Sequence, residues 1–300
     1  MSFQYGGQAV IEGVMMRGPR DCAVAVRGPS GDIVIDHRQL NPFQEKYPIF
    51  KKPIFRGVWA LFDSMVLGIK TLTYSANVAM DEEEEELSLL EIVLTIGLAF
   101  GLAILLFVVA PTVAAHFMSG YMGPVGQNIA EGILRIVIFL GYVVGISVLK
   151  DIQRVFQYHG AEHKVIHAYE AGEELSDVKS IQRYSTLHPR CGTAFLLIVM
   201  VLTVFFFSFL NTPGLLARIV SRVLLLPLIA GVSYELLKFT AKHDDSPIVK
   251  VLIAPGLWLQ KLTTREPDDG MIEVAVKALD AVLEKKSEPQ ETTGEKQLLN

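Results

Sequence analysis

Three of the seven histidines, His159, His163 and His167, follow one another at four-residue intervals. Glu162 lies between the first two, so the stretch from His159 to His163 reads H-x-x-E-H. On a helix this pattern is typical of two imidazoles that bind zinc beside a glutamate that transfers protons. His167 lies eight residues from His159, about 12 Å along a straight helix, so all three histidines cannot bind one ion. We therefore predict His159 and His163 as metal ligands and Glu162 as the general base.

A mononuclear site needs further ligands, and four residues elsewhere in the chain are candidates: His188, Cys191, Glu235 and His243. His188 and Cys191 have an H-x-x-C spacing just before an apolar run, while Glu235 and His243 flank the end of another. We expect two of the four to complete the site. Mixed imidazole and thiolate ligands favour zinc, with iron as the next choice.

The apolar residues make up 51% of the 300 and are concentrated in runs long enough to cross a membrane. Residues 92–115 and 191–217 contain no charged side chain, and two weaker runs carry charges near their ends. Arg222 and Glu235, for example, lie where long side chains can reach water. We predict an α-helical integral membrane protein with about four transmembrane helices, at roughly 89–115, 130–149, 192–211 and 219–237.

The distribution of basic residues orients these spans. The segments 1–88, 150–191 and 238–300 would share one side of the membrane, and they hold 24 of the 27 lysines and arginines. Positive charge marks the cytosolic side, so we expect both termini and the histidine segment to lie in the cytosol. Cys22 and Cys191 fall on that side, where we expect reduced thiols.

Local patterns predict the remaining elements. Cys22–Arg27 and Asp32–His37 are rich in β-branched residues and flank a turn sequence, which predicts a hairpin. Apolar residues at helical spacing predict amphipathic helices over Phe55–Leu72 and Met271–Leu283. The helical stripe of the second span continues past Leu149, which predicts one long helix that ends at Gly172. The acidic run Asp81–Glu86 is interpreted as a solvated helix start.

These patterns divide the chain into seven segments. They are a cytosolic β-rich unit at 1–50, an interfacial amphipathic helix and acidic linker at 51–88, and a first transmembrane hairpin at 89–149. A cytosolic His-rich stem and loop at 150–191, a second transmembrane hairpin at 192–237, a cytosolic interfacial segment at 238–284 and a disordered tail at 285–300 follow.

Four motifs together resemble a known family: Gly6–Pro19, Tyr158–Lys164, His188–Thr193 and Thr263–Asp269. They are similar to the YqhQ-type family of bacterial membrane proteins, and the resemblance extends from about Tyr5 to Leu283. That family is described as a domain of unknown function and as a predicted metal-dependent enzyme. The resemblance implies a protein of the bacterial cytoplasmic (inner) membrane and assigns no substrate.

The pattern as a whole favours a zinc-dependent hydrolase that acts at the membrane surface. Zinc would activate a water molecule, and Glu162 would act as general base. The expected partners are the lipid bilayer and a membrane-surface substrate, either a peptide or a lipid headgroup, or a protein partner; no nucleic acid is expected. The alternatives are a non-catalytic factor that binds or regulates a membrane partner, a transporter, and a haem protein that uses two of the histidines.

Overall fold

The computed structural model of the chain describes residues 5–40, 47–80, 88–118, 120–210, 212, 214–243 and 246–287. The fold is mostly helical, with one small antiparallel sheet near the N-terminus. The acidic run Asp81–Glu86 lies outside the described residues, as does nearly all of the tail predicted from residue 285.

The N-terminal segment forms a four-stranded antiparallel meander in the order β1-β2-β3-β4. The predicted hairpin is confirmed as β3 and β4, and the glycine-containing segment before it forms β1 and β2. The bounds of the strands are β1 Gly6–Val10, β2 Gly13–Arg17, β3 Asp21–Arg27 and β4 Ile33–Gln39.

Ten helices follow the sheet in the described part of the chain, after a 3-10 turn at Pro48–Lys51. They are α1 Phe55–Ala79, α2 Leu89–Ile104, α3 Ala110–Phe117, α4 Pro124–Ile146, α5 Lys150–Ala171, α6 Val178–Ile181, α7 Gly192–Ser208, α8 Leu215–Lys242, α9 Pro247–Thr263 and α10 Asp269–Ser287. A π-helical turn, Leu105–Val109, joins α2 to α3 without a break.

The sheet is covered on both faces, which explains why its central strands are buried along their whole length. Val14 and Met16 of β2 face a core formed with α5 and α10. Met15 of the same strand and Val24 of β3 face Leu67 of α1 on the opposite side. Because side chains alternate along a strand, a strand covered on both faces has no polar side.

Within the described ranges, three helical segments are long and apolar enough to cross a membrane: Leu90–Phe117, Pro124–Ile146 and Leu215–Lys242. The third of the four predicted spans corresponds to α7, an apolar helix of 17 residues. At 1.5 Å per residue α7 is about 25 Å long, somewhat less than a hydrocarbon core of about 30 Å.

The prediction of one continuous helix from the second span to Gly172 is wrong, although the helix does end at Gly172 in a left-handed conformation. α4 ends at Ile146 and α5 begins at Lys150. The carbonyl of Ser147 accepts hydrogen bonds from the side chains of Gln153 (3.1 Å) and Arg265 (2.9 Å). These side chains replace the backbone donors that a continuous helix would supply.

Two charged residues near the ends of α8 do not extend toward solvent as we expected. Arg222 is fully buried and pairs with Glu131 of α4 at 3.1 Å. Glu235 forms an ion pair with Arg56 of α1 and accepts hydrogen bonds from its guanidinium. Both charges therefore join helices to one another, because each has a partner of opposite charge within reach.

α5 packs directly against the segment that follows α9. A Cβ atom on Gly160 would lie 2.0 Å from the carbonyl oxygen of Arg265, so only glycine allows this approach. The contact is held by a hydrogen bond of 2.9 Å from the Arg265 N–H to the Phe156 carbonyl. α5 thus lies between the sheet and this segment, with its histidines facing the ends of α7 and α9.

Candidate metal centre

His159 and His163 share one face of α5, and their ring centroids are 4.4 Å apart. The Nδ1 atom of His159 lies 2.8 Å from the carbonyl oxygen of Thr263, and that of His163 lies 2.5 Å from the carbonyl oxygen of Thr186. A carbonyl oxygen only accepts hydrogen bonds, so both Nδ1 atoms carry the proton. Each Nε2 atom is therefore free to bind a metal, an arrangement typical of metal-binding histidines.

Cys191 brings a thiol to the same place from α7. It is the N-cap residue of that helix, and its Sγ atom lies 3.2 Å from His159 Nε2. One potential ligand atom from each of His159, His163 and Cys191 lies within 4.8 Å of the other two. A helix N-terminus favours negative charge, and the thiolate is the form of cysteine that binds metals.

A second group consists of His167, Glu170 and His188, whose potential ligand atoms also lie within 4.8 Å of one another. Burial, together with the charge of Arg190, lowers the pKa of His188 to about 2. Its imidazole is therefore neutral, and its 3.6 Å contact with Glu170 is not an ion pair. Arg190 forms an ion pair with Glu170 and lies 3.3 Å from His188 Nε2. A guanidinium in this position opposes a second cation, so the first group is the better metal site.

Glu162 is buried, with only 5% of its surface exposed. It accepts a hydrogen bond of 3.0 Å from the backbone N–H of Gly7 in β1. Burial raises the pKa of the Glu162 carboxyl to about 7, although His159 and the Gly7 hydrogen bond act in the opposite direction. Near neutral pH this carboxyl can therefore both accept and release a proton.

His159 and Cys191 of the first ligand group line one cavity of about 510 Å³ together with Glu162. Gly7 and Gln8 also line this cavity. Its apolar lining includes residues of α4, α7 and α9, namely Phe139, Tyr142, Val143, Ile146, Leu196 and Leu259. The cavity thus combines reactive polar side chains with an apolar wall built in part from a candidate membrane span.

The other predicted ligands lie elsewhere. Glu235 belongs to neither group and is paired with Arg56. His243, at the C-terminal end of α8, is exposed; its Nδ1 donates to the Phe239 carbonyl at 2.9 Å. His188 belongs to the second group, with its ring centroid 4.6 Å from that of His167 and 5.6 Å from that of His163.

Sequence reasoning missed the residues that support the ligands. Gln260 is fully buried in α9, donates to the His188 carbonyl at 2.9 Å and accepts from the His188 N–H at 2.8 Å. Thr263 and Thr186 contribute only backbone carbonyls, for which no sequence signal exists. Gly7, in contrast, lies in the glycine-containing motif Gly6–Pro19, and that motif could have pointed to a close backbone contact with the site.

These features define a mainly helical protein in which a small antiparallel sheet and a His/Cys cluster flank one end of a group of apolar helices. The chain belongs to the family described as "Protein of unknown function (DUF1385)", which matches residues 52–285. It is 36% identical over 296 residues to "Uncharacterized protein YqhQ" of Bacillus subtilis (strain 168), with 93% of this chain and 92% of the relative covered. No solved structure matches the chain. The resemblance to the YqhQ-type family is thus confirmed.

Gly7→Ala is expected to displace Glu162 and destabilise the protein. The new Cβ atom would lie 2.5 Å from the backbone carbonyl oxygen of Met15 and 3.1 Å from the carboxyl carbon of Glu162. Overpacking of this kind costs about 1–3 kcal/mol, so the Tm of detergent-solubilised protein should fall by several degrees. Gly6→Ala is the matched control, since the described structure has no atom within 4 Å of its Cβ. Equal Tm values for the two variants would contradict the close approach.

Proposed function

We propose that this chain is a multi-pass protein of the bacterial cytoplasmic membrane that uses a zinc site, formed by His159, His163 and Cys191, for hydrolysis. The observation that carries the proposal is the meeting of these three side chains, two of which, His159 and Cys191, line the same cavity as Glu162. Support for the membrane comes from the three long apolar helical segments and from the strong asymmetry of basic residues. By that asymmetry, both termini and the candidate metal centre face the cytosol.

The donor set fits zinc. Two imidazoles with their protons directed to backbone carbonyls, together with one thiol, supply nitrogen and sulfur ligands of the kind zinc prefers, and iron is the next choice. Structural zinc sites have four protein ligands, whereas catalytic sites have three and leave one position open. Three side chains meet here among the residues that the structure describes, and His188, a further candidate, belongs to the second group. This count favours a catalytic over a purely structural site.

Each protein group then has a distinct role. Zinc, when bound, supplies Lewis acidity and activates water for attack on an ester, amide or phosphoester. Glu162 lines the same cavity as His159 without belonging to the ligand group, which suits a general base. Gly7 orients the Glu162 carboxylate through its backbone N–H.

The cavity also favours one kind of substrate. Its apolar wall includes four residues of α4, from Phe139 to Ile146, in the part of that helix nearest to the break before α5. A substrate with an acyl or isoprenoid chain could place the chain against this wall and its polar group beside His159 and Glu162. We therefore propose a lipid or lipid-linked substrate in preference to a peptide.

The proposed topology predicts where reporter domains will fold. Fusions after Ala79, Ser176 and Lys285 should all report the cytosol, and a fusion near Gly123 should report the opposite side, because basic residues are retained in the cytosol. Paired cytosolic and periplasmic or extracellular reporters at each position provide the measurement and the control. An external result at Ser176 would remove the histidine site from the cytosolic face.

The metal site predicts about one zinc or iron ion per chain in purified protein. His159→Ala combined with His163→Ala should abolish binding, since two of three ligands are lost, while the protein stays in the membrane fraction. Glu235→Gln and His243→Ala are matched controls that should keep the metal, because neither residue lies in the ligand group. The metal content of the wild type and of these three variants is measured by mass spectrometry. Unchanged metal in the double variant, or none in the wild type, would refute the site.

Glu162→Gln separates an enzyme from a non-catalytic factor. Glutamine keeps the size and the hydrogen-bonding capacity of the side chain but cannot act as a base, so the variant should retain its metal while turnover falls by about 10²–10⁴-fold. We expect it to fail to complement a deletion strain, as His159→Ala also fails. Glu174→Gln, a change at an exposed position, should complement fully. Full complementation by Glu162→Gln but not by His159→Ala would favour a structural metal and a non-catalytic role.

A further inference from the structure

A second cluster of charged residues lies far from the histidines, near the start of α4 and α8. It contains Glu131 and Arg135 of α4 with Arg218 and Arg222 of α8, each at most 7% exposed. Glu131 precedes Ile146, at the histidine end of α4, by fifteen residues, which is about 22 Å along the helix. By the proposed topology, this cluster lies toward the non-cytosolic side.

Glu131 is the centre of the cluster. Its carboxylate accepts hydrogen bonds from Arg135 at 2.9 Å and from Arg222 at 3.1 Å, and it lies 3.3 Å from Arg218 Nε. Thr112 of α3 adds a further hydrogen bond of 3.1 Å. Each of the three arginines is therefore paired with the same single carboxylate.

Three guanidinium groups against one carboxylate leave a net charge of +2 in the interior. The chain cannot supply the missing negative charge at this end, since Glu131 is the only acidic residue in 92–149 and 191–234. The ring of Phe207 lies 4.3 Å from the guanidinium carbon of Arg222, but such a contact compensates a buried charge only in part. Uncompensated charge in a low-dielectric interior is strongly unfavourable.

The hydrogen bonds are also incomplete. Arg222 is 0% exposed, and its Nη1 atom has no hydrogen-bond acceptor within the described residues. The same holds for Nε of Arg218, whose contact with Glu131 lacks hydrogen-bond geometry. Two buried donors and an excess of positive charge at one place both indicate an anionic ligand.

We propose that Arg218 and Arg222, with the positive charge of Arg135 beside them, bind an oxyanion of the phosphate type, either in an anionic lipid headgroup or as free phosphate. Guanidinium groups match the geometry of phosphate oxygens and remain charged when buried. Arg218 lies in the first turns of α8, at the end of that candidate span, so a lipid phosphate at headgroup depth would lie close to it. The inference rests on the proposed membrane placement and is independent of the metal site.

The test measures thermal stability of delipidated, detergent-solubilised protein with added phosphatidylglycerol, phosphatidylcholine or inorganic phosphate. Phosphatidylglycerol should raise the Tm of the wild type by several degrees, since a ligand that binds only the folded state stabilises it. Arg218→Met should lose most of this shift and Arg218→Lys should keep much of it. Lys242→Met, at the opposite end of the same helix, should behave as the wild type. A shift with phosphate alone would identify free phosphate as sufficient.

Glu131→Gln distinguishes a ligand site from a purely structural network. This variant lacks the only carboxylate of the cluster, so the negative charge of Glu131 no longer competes with the lipid phosphate for the arginines. The phosphatidylglycerol concentration that gives half of the maximal rise in Tm should therefore fall by about tenfold. The proposal fails if the wild type shows no anion-dependent shift. It also fails if phosphatidylglycerol raises the Tm of Arg218→Met as much as that of the wild type, or if phosphatidylcholine raises the Tm of these two proteins equally. None of these outcomes depends on zinc content or complementation, so the hydrolase proposal is tested separately.

Discussion

The burial of consecutive polar residues in α5 is the constraint on which the surrounding structure depends. Glu162, His163 and Lys164 are each at most 5% exposed, so each needs a partner inside the protein. β1 supplies one through the Gly7 N–H, and the segment before α7 supplies the Thr186 carbonyl. Lys164 donates to the Gln182 carbonyl at 2.7 Å and pairs with Glu266 at 2.8 Å. The sheet, the α6 loop and the segment after α9 are therefore placed by the polar groups of one helix.

The two charged regions of the molecule differ in what they lack. At the α5 end, the Nδ1 donors of His159 and His163 are paired with backbone carbonyls, and one potential ligand atom from each of His159, His163 and Cys191 lies within 4.8 Å of the other two. At the other end, the arginines of α4 and α8 exceed the available carboxylates. We therefore propose a cation for the first region and an anion for the second. Along α4, about 22 Å separates Glu131 from Ile146 at the histidine end.

Much of the candidate site followed from helix geometry, since His159 and His163 are four residues apart and any helix there places them on one face. Helix geometry also predicted that His167 lies too far along α5 to bind the same ion as His159. In the structure His167 belongs to the second group. Among the four further candidates, sequence reasoning had no means of choosing. Cys191 joins the pair because Gln260 of α9 holds the backbone of His188 in its loop and His159 of α5 contacts the Cys191 thiol, both contacts between residues distant in the chain.

Sequence alone therefore determined the features that depend on local spacing and composition. These are the apolar helices, the β3–β4 hairpin, the end of α5 at Gly172 and the pairing of His159 with His163 on one helix face. Only the tertiary structure decided which charges meet: Glu235 pairs with Arg56, and Arg222 turns inward to Glu131. The physical reason is that periodicity is a property of neighbouring residues. The partner of a buried charge, in contrast, is set by whichever distant group the packing brings within a few ångströms.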